Sequence, residues 1–193
     1  MYRAYILSEM TEIFAEKNIG IFCSANDLPQ KYTRPAEELA KLIARNGYGL
    51  VWGGSNHGLM KLIATAAQEE GGRLIGVSVK HLEHIAREDA DEMYITDDPG
   101  ERKKTFLSRA DAIVALVGGI GTFDEITDVL ENKKHGLYKG ILVVLDSEGF
   151  WDGFKVQMER MKSDGFINQS LDELIFFAQT PQEVMDYIEV GLG

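Results

Sequence analysis

The sequence predicts an α/β protein with a Rossmann-like, doubly wound parallel sheet in a three-layer α/β/α sandwich. Short apolar runs of strand length alternate along the 193 residues with segments whose apolar residues recur at helical spacing. The connections are short, and no repeat, linker or low-complexity tract interrupts the alternation. Such strand–helix–strand units form parallel sheets with right-handed crossovers. We therefore predict a single domain over residues 1–193, with residues 1–16 as an N-terminal arm or helix.

The individual elements follow from local patterns. Short apolar runs predict seven strands, over residues 18–23, 50–52, 74–79, 92–95, 112–117, 141–145 and 174–177. Helical spacing predicts helices over residues 33–45, 59–70, 99–110, from 122 onwards, 150–161 and 181–190. Pro35, Pro99 and Pro181 stand near helix starts, where proline is tolerated. Residues 80–90 are predicted to form a polar, helical connection.

Bulk composition excludes several classes of protein. The formal net charge of -11 argues against nucleic-acid binding, which usually needs a basic surface. Cys23 is the single cysteine, which excludes an internal disulfide and fits a reducing compartment. No apolar run approaches the roughly 20 residues of a membrane span, and the first residues lack a signal-peptide pattern. We expect a cytoplasmic protein that binds neither nucleic acid nor membrane.

The most informative stretch is the glycine turn after the predicted strand at residues 112–117. Gly118, Gly119 and Gly121 follow that strand, and Thr122 then begins a helix. This order places free backbone N–H groups and the positive end of a helix dipole at a strand end, which suits a phosphate or a carboxylate. Glycines let the backbone approach the anion without a Cβ in the way.

Three acids follow within two turns of that helix: Asp124, Glu125 and Asp128. They could simply complement the helix dipole, or one of them could contact a sugar or activate a water molecule beside the bound anion. Asp124 would repel a phosphate unless it had another partner. The sequence must therefore supply a cation elsewhere.

Arg102, Lys103 and Lys104 are the candidate cations. They lie in the first turn of a predicted helix, where a cation opposes the dipole. Neighbouring acids could offset this unfavourable position, which would explain all three residues without a ligand. Alternatively, the planar fork of Arg102 could face a phosphate, a carboxylate or a nucleobase.

The loops at residues 24–27, 53–58 and 118–122 each follow a predicted strand, so a parallel sheet places all three on one edge, where ligands bind. Neither glycine-rich loop matches a P-loop or the dinucleotide fingerprint, which favours a monophosphate. The four histidines, at positions 57, 81, 84 and 135, lack metal-ligand spacing. We predict no metal site and interpret His81 and His84 as a solvated helix face.

Residues 118–125, Gly-Gly-Ile-Gly-Thr-Phe-Asp-Glu, resemble the Pro-Gly-Gly-x-Gly-Thr-x-x-Glu motif of the LOG ("lonely guy") proteins, a family once labelled lysine decarboxylases. Residues 22–24, 53–60 and 102–103 fall where that family has its other marks, and the resemblance covers about residues 18 to 170. It implies a Rossmann-like fold, a homodimer, no cofactor, and hydrolysis of a nucleoside 5'-monophosphate to free base and ribose 5-phosphate. In the plant and actinobacterial members the substrate is a cytokinin ribotide.

The resemblance also implies residue roles. Glu125 and Arg102 are the expected catalytic residues: Glu125 binds the ribose and activates water, and Arg102 orients the base or stabilises its departure. The expected substrate-binding residues are Ser24, Gly54, Ser55, Lys103, Gly118, Gly119, Gly121, Thr122, Asp124 and Asp128. The expected partners are a purine nucleoside monophosphate and a second copy of the chain.

The sequence departs from the family pattern at Val117, in place of proline, and at Gly100, where the Met-His-x-Arg-Lys element carries its histidine. Asn132 and Lys134 occupy the Trp-x-Gln region near the base end of the pocket. Plain AMP is therefore at least as good a candidate as a prenylated ribotide. A non-catalytic carrier, similar to the molybdenum-cofactor carriers, is the alternative. A decarboxylase would need a pyridoxal-phosphate lysine, and no lysine stands in a recognisable context for one.

Overall fold

The computed structural model describes residues 17–193, which form one seven-stranded sheet. Its strands are β1 (Asn18–Phe22), β2 (Gly49–Trp52), β3 (Leu74–Val79), β4 (Glu92–Thr96), β5 (Ala112–Ala115), β6 (Ile141–Leu145) and β7 (Phe176–Ala178). The order is β4-β3-β2-β1-β5-β6-β7, and every neighbouring pair is parallel. This confirms the predicted doubly wound α/β fold. The predicted N-terminal arm lies outside the described residues.

Helices cover both faces of the sheet. They are α1 (Gln30–Arg45), α2 (Gly58–Glu69), α3 (Pro99–Arg109), α4 (Ile120–Lys134), α5 (Asp152–Ser163), α6 (Leu171–Leu174) and α7 (Pro181–Leu192), with short 3-10 segments at Lys80–Ile85 and Ser147–Gly149. The first two helices and α7 share one core with alternate strand residues such as Ile19 and Ile21. The remaining helices share the other core with residues such as Phe22. Alternate side chains of one strand therefore pack into two separate cores, one on each face of the sheet.

Several predicted boundaries were wrong, including those of the helix at Asp152–Ser163 and of the short 3-10 segment at Lys80–Ile85. The first helix begins at Gln30 rather than at residue 33, so Pro35 lies inside it. Strand β5 ends at Ala115, and α4 begins two residues before Thr122, because Gly119 already serves as its N-cap. Leu174 ends a short helix rather than beginning a strand. A short apolar run such as residues 174–177 does not by periodicity distinguish a strand from a buried helical turn.

The direction of winding reverses between β1 and β5. From β1 the chain adds strands on one side through β2, β3 and β4, and β5 then pairs with the other side of β1. In the β1–β5 pair, Phe22 lies opposite Ala115, so both strands end at the same level. The crevice outside such a reversal point is where doubly wound sheets bind ligands.

The start of α3 is fixed by a capping aspartate. Asp98 accepts hydrogen bonds through Oδ1 from the backbone N–H groups of Gly100, at 2.7 Å, and Glu101, at 3.0 Å. Pro99 occupies the first helical position, where its missing N–H is not needed. The cap therefore determines where Arg102 leaves the helix.

Phe106 attaches α3 to the sheet. Its side chain is 1% exposed, and its ring centroid lies 4.6 Å from that of Phe22. Gly20 in β1 leaves the space that the ring fills, because a Cβ there would lie 2.6 Å from Phe106 Cε1. The position of α3, and of the cations on its first turn, depends on this contact.

We predict that Phe106→Ala lowers the free energy of unfolding by about 3–5 kcal/mol, because it removes a fully buried ring and leaves a cavity. Urea denaturation followed by circular dichroism measures the change. Leu137→Ala is the matched control, since Leu137 is 78% exposed, and it should change stability by less than about 0.5 kcal/mol. Equal effects of the two substitutions would contradict the proposed attachment.

Candidate functional site

A cleft of about 410 Å³ opens at the carboxyl edge of the sheet, across the reversal point. Its walls come from the loops after β1 and β2, the end of β3 with the following 3-10 segment, the first turn of α3, and the glycine turn with the start of α4. The loops after β1 and β5 are tied together, because the Ser24 N–H donates to the Val117 carbonyl at 3.2 Å. The cleft is therefore assembled from segments far apart in the sequence.

The glycines of the turn have different structural reasons. At Gly118 an added Cβ would lie 2.1 Å from Thr122 Oγ1, so Gly118 makes room for the threonine, which is only 4% exposed. At Gly119 and Gly121 nothing lies within 4 Å of an added Cβ, and both residues line the cleft. A ligand can therefore approach the backbone amides at the N-terminus of α4, which are free of intrahelical partners.

Arg102 and Glu125 form a buried ion pair on the cleft wall. Arg102 Nη1 donates to Glu125 Oε1 at 2.6 Å, and Arg102 Nε donates to the Val77 carbonyl at 3.0 Å. The guanidinium thus bridges β3 and α4. It also passes close to β2, since a Cβ on Gly53 would lie 3.0 Å from Arg102 Nη2.

The environment of Glu125 shifts its proton equilibrium. The residue is 7% exposed, and burial raises the pKa of its carboxyl group. The charge and hydrogen bond of Arg102 lower that pKa, but they do not cancel the effect of burial. Glu125 is thus a carboxylate held in a water-poor site by one cation. Burial also raises the pKa of the nearby Cys23 thiol, which leaves this residue protonated and unreactive.

Lys103 supplies the cation that Asp124 requires. Its Nζ lies 3.3 Å from Asp124 Oδ2 and 3.1 Å from Asp128 Oδ1. Burial lowers the pKa of Lys103, but the hydrogen bonds and charges of the two aspartates leave it above its ordinary value. The ammonium is therefore fully charged, and Asp124 is partly neutralised beside the glycine turn.

The structure brings most of the predicted site residues together. Those that line the cleft are Ser24, Ser55, Arg102, Lys103, Gly119, Gly121, Thr122, Asp124 and Glu125. Three others do not line it. Gly54 has a φ of +75°, and a Cβ there would lie 3.1 Å from Met93 Sδ. Gly118 accommodates Thr122, and Asp128 pairs with Lys103. These three residues support the residues that line the cleft but do not line it themselves.

Sequence reasoning missed one wall of the cleft. His81 lines it, together with Leu82 and Ile85 of the same 3-10 segment and Ser78 of β3. His81 is exposed, in agreement with its predicted place on a solvated face, but it also borders the cleft. The signal that could have found it is its position two residues after the end of β3, on the edge where the three loops meet.

The described residues contain neither a cluster of metal ligands nor a membrane-spanning helix. Within residues 17–193, no three His, Cys, Asp or Glu side chains are grouped so that they could hold a metal ion. Within the same range, no helix combines the length and the apolarity needed to cross a bilayer.

The parallel sheet, the glycine turn and the buried ion pair define a Rossmann-like α/β protein whose cleft offers free helix amides beside a cation. A family model described as "possible lysine decarboxylase" matches residues 60–188. A cytokinin riboside 5'-monophosphate phosphoribohydrolase of Mycobacterium marinum is 33% identical over 175 residues, which cover 90% of this chain and 94% of the relative. The LOG phosphoribohydrolase of Oryza sativa subsp. japonica is 33% identical over 186 residues, 91% of this chain and 77% of the relative. The chain belongs to the LOG family.

A solved structure shows the same fold. The molybdenum cofactor binding protein from Rippkaea orientalis superposes with a TM-score of 0.70 at 20% sequence identity, over 93% of this chain and 99% of that one. At this identity the likeness concerns the fold alone. The shared fold does not decide whether the protein is an enzyme or a cofactor carrier.

We predict that Lys103→Met weakens binding of inorganic phosphate by about fivefold to tenfold, because an unpaired Asp124 repels an anion at the N-terminus of α4. The double variant Lys103→Met/Asp124→Asn should recover most of the loss, since it removes the repelling charge as well. Isothermal titration with phosphate at low ionic strength measures both effects. A double variant as weak as Lys103→Met would show that the lysine acts on the anion directly.

Proposed function

We propose that the protein is a nucleoside 5'-monophosphate phosphoribohydrolase. It hydrolyses the N-glycosidic bond of a purine ribotide, either AMP or a cytokinin-type ribotide, to free base and ribose 5-phosphate. The observation that carries the proposal is the buried Arg102–Glu125 pair beside a glycine turn in one cleft. The names of the Mycobacterium and Oryza relatives support it.

The phosphate of the substrate binds at the glycine turn. Gly119 and Gly121 leave space above the first amides of α4, and Thr122 lies in the same turn. The free N–H groups at a helix N-terminus can bind a phosphate dianion by themselves, so the phosphate needs no arginine beside it. This placement is needed in a chain of net charge -11, because the overall field opposes an anionic ligand.

Glu125 acts on the pentose, one turn after the phosphate site. As the bond between C1' and the base nitrogen breaks, its electron pair leaves with the base and positive charge develops on the ribose. A carboxylate in a water-poor site stabilises that charge strongly. Glu125 then accepts a proton from the water that adds to C1', the departing base takes up a proton from solvent, and Glu125 returns its own proton to solvent.

Arg102 keeps Glu125 ionised and faces the leaving group. Its Nη1 holds the carboxylate, and its Nε is anchored to the Val77 carbonyl, so the guanidinium has little freedom to move. Its remaining donors are available to the base or to the negative charge that develops on it. Arg102→Lys is a better probe of this role than Arg102→Ala, because the alanine variant would leave Glu125 as a buried unpaired carboxylate, which is strongly destabilising.

A non-catalytic carrier would also use the phosphate site, but it would not need a buried acid beside the ligand. A decarboxylase needs a lysine that loses its proton to form a Schiff base. Lys103, which lines the cleft, has its pKa raised by two aspartates and is poorly suited to that role. The proposal also includes a homodimer, which the exposed Ile120 and Phe123 beside the cleft support.

We predict that the wild-type protein releases adenine and ribose 5-phosphate from AMP, and that Glu125→Gln lowers kcat at least about 100-fold through loss of electrostatic stabilisation and proton transfer. Chromatography of the two products over time measures this. Glu131→Gln is the matched control, because Glu131 lies on the same helix but pairs with Lys134 and His135 on the exposed surface. Near wild-type turnover by Glu125→Gln would remove its catalytic role, and binding of AMP without release would support the carrier.

The pH dependence of kcat/KM should report the raised pKa of Glu125. Because the carboxyl group must be ionised to act, activity should rise with pH through an inflection above 4.5, the ordinary value for glutamate. A pH series of initial rates at low AMP concentration measures this rise in kcat/KM. The rise should be absent from the residual activity of Glu125→Gln. An inflection at or below 4.5 would contradict the argument that burial raises the pKa of Glu125.

A further inference from the structure

Ser55 carries an enclosed, unpartnered hydroxyl in the wall of the cleft. The residue lines the cleft and is 6% exposed, and among residues 17–193 its Oγ finds no hydrogen-bond partner. Buried side-chain hydroxyls almost always have a partner, because an unpaired one costs the lost hydrogen bond to water. A buried hydroxyl on a ligand-sized cleft therefore points to a ligand atom that pairs with it.

The backbone around Ser55 is held firmly. Ser55 forms an isolated antiparallel bridge with Ala86, and the Asn56 N–H donates to the Ile85 carbonyl at 2.8 Å. Trp52 Nε1 also donates to the Ser55 carbonyl at 3.3 Å. The backbone that carries the hydroxyl is consequently held in a fixed position, as selective recognition requires.

The position of Ser55 along the sheet edge matches the base of a bound nucleotide. The phosphate site follows β5, whereas Ser55 follows β2 and His81 follows β3. These strands lie two and three places from β5, which separates the two ends by roughly 10–14 Å at one interstrand spacing per step. The Arg102–Glu125 pair spans this interval, because Arg102 bonds the Val77 carbonyl of β3 and Glu125 lies on α4, after β5. Phosphate, pentose and base are thus laid out from β5 towards β3.

The lining of the cleft combines apolar and polar groups that suit a planar ring. Met60, Leu82 and Ile85 contribute apolar surface, and Ser55 and His81 contribute polar groups. Apolar walls with a few placed hydrogen-bonding groups are typical of sites for heteroaromatic ligands. Gly100 carries no side chain at the family's histidine position, so His81 brings an imidazole to the cleft from a different element.

A charged recess adjoins the cleft. It shares Asn26 and Ile85 with the cleft, and its other walls include Lys61, Glu88 and Asp89. A hydrocarbon group extending from the base would leave the Ser55 hydroxyl unpaired, or would enter the recess and displace water from charged groups. Either outcome is unfavourable.

We propose that Ser55 and His81 recognise the edge of the base and select a purine with a free amino or oxo group over one bearing a hydrocarbon substituent. The inference deepens the proposed function and rests on it. Its consequence is that this chain prefers AMP-like ribotides to the prenylated ribotides of cytokinin type.

The test compares AMP with N6-isopentenyl-AMP in binding and in base release. We expect wild-type protein to favour AMP about tenfold in both Kd and kcat/KM, a factor that fits one buried hydrogen-bonding group left unpaired. Ser55→Ala should weaken the binding of AMP about fivefold to tenfold and leave the binding of the isopentenyl ribotide unchanged. Most of the preference for AMP is then lost. His81→Ala should reduce the preference in the same direction.

Controls separate recognition from folding. Ser108→Ala and His135→Ala alter an exposed serine and an exposed histidine outside the cleft, and both should keep the wild-type preference. Each variant should retain the wild-type urea midpoint. A wild-type preference for the isopentenyl ribotide, or equal effects of Ser55→Ala on both probes, would overturn this inference and leave hydrolysis standing. Binding of AMP without adenine release would overturn the proposed function, and the Kd ratios would still decide the role of Ser55.

Discussion

The ion pair between Arg102 and Glu125 is the constraint on which the rest of the site depends. A carboxylate as buried as Glu125 remains charged only beside a fixed cation, and the desolvation of such a pair makes it a poor source of stability. Its cost is tolerated because the surrounding structure holds both partners in place. The Asp98 cap sets the start of α3, and the Val77 carbonyl anchors the guanidinium. Gly53 keeps its path clear.

A second charge arrangement explains how an acidic chain can take an anionic ligand. Lys103 lies between Asp124 and Asp128, so the acids nearest the glycine turn are already paired when a phosphate approaches. The favourable potential is local, from helix amides and two neighbouring cations, within an overall net charge of -11. The same two cations, adjacent on α3, have separate tasks. In the proposed function, Arg102 orders the carboxylate of Glu125, and Lys103 screens the acids beside the phosphate site.

The fold alone does not distinguish catalysis from carriage. A molybdenum cofactor binding protein shares the architecture at 20% identity, and the relatives with greater similarity are named as phosphoribohydrolases. The distinction lies in the side chains on the common cleft. A buried acid beside the proposed pentose position favours hydrolysis, and the unpartnered hydroxyl of Ser55 is the feature on which the proposed choice of base rests.

The sequence by itself determined the alternation of strands and helices, the parallel sheet, and the glycine turn with its following acids, because these are local patterns of spacing and backbone freedom. It also supplied the family resemblance, and through it Arg102 and Glu125. Only the tertiary structure decided that these two residues, 23 positions apart, lie 2.6 Å from each other. It also decided that Gly118 serves Thr122, that Lys103 pairs with two aspartates, and that His81 faces the cleft. Such contacts depend on strand order and on the level at which each strand ends, which no local pattern specifies.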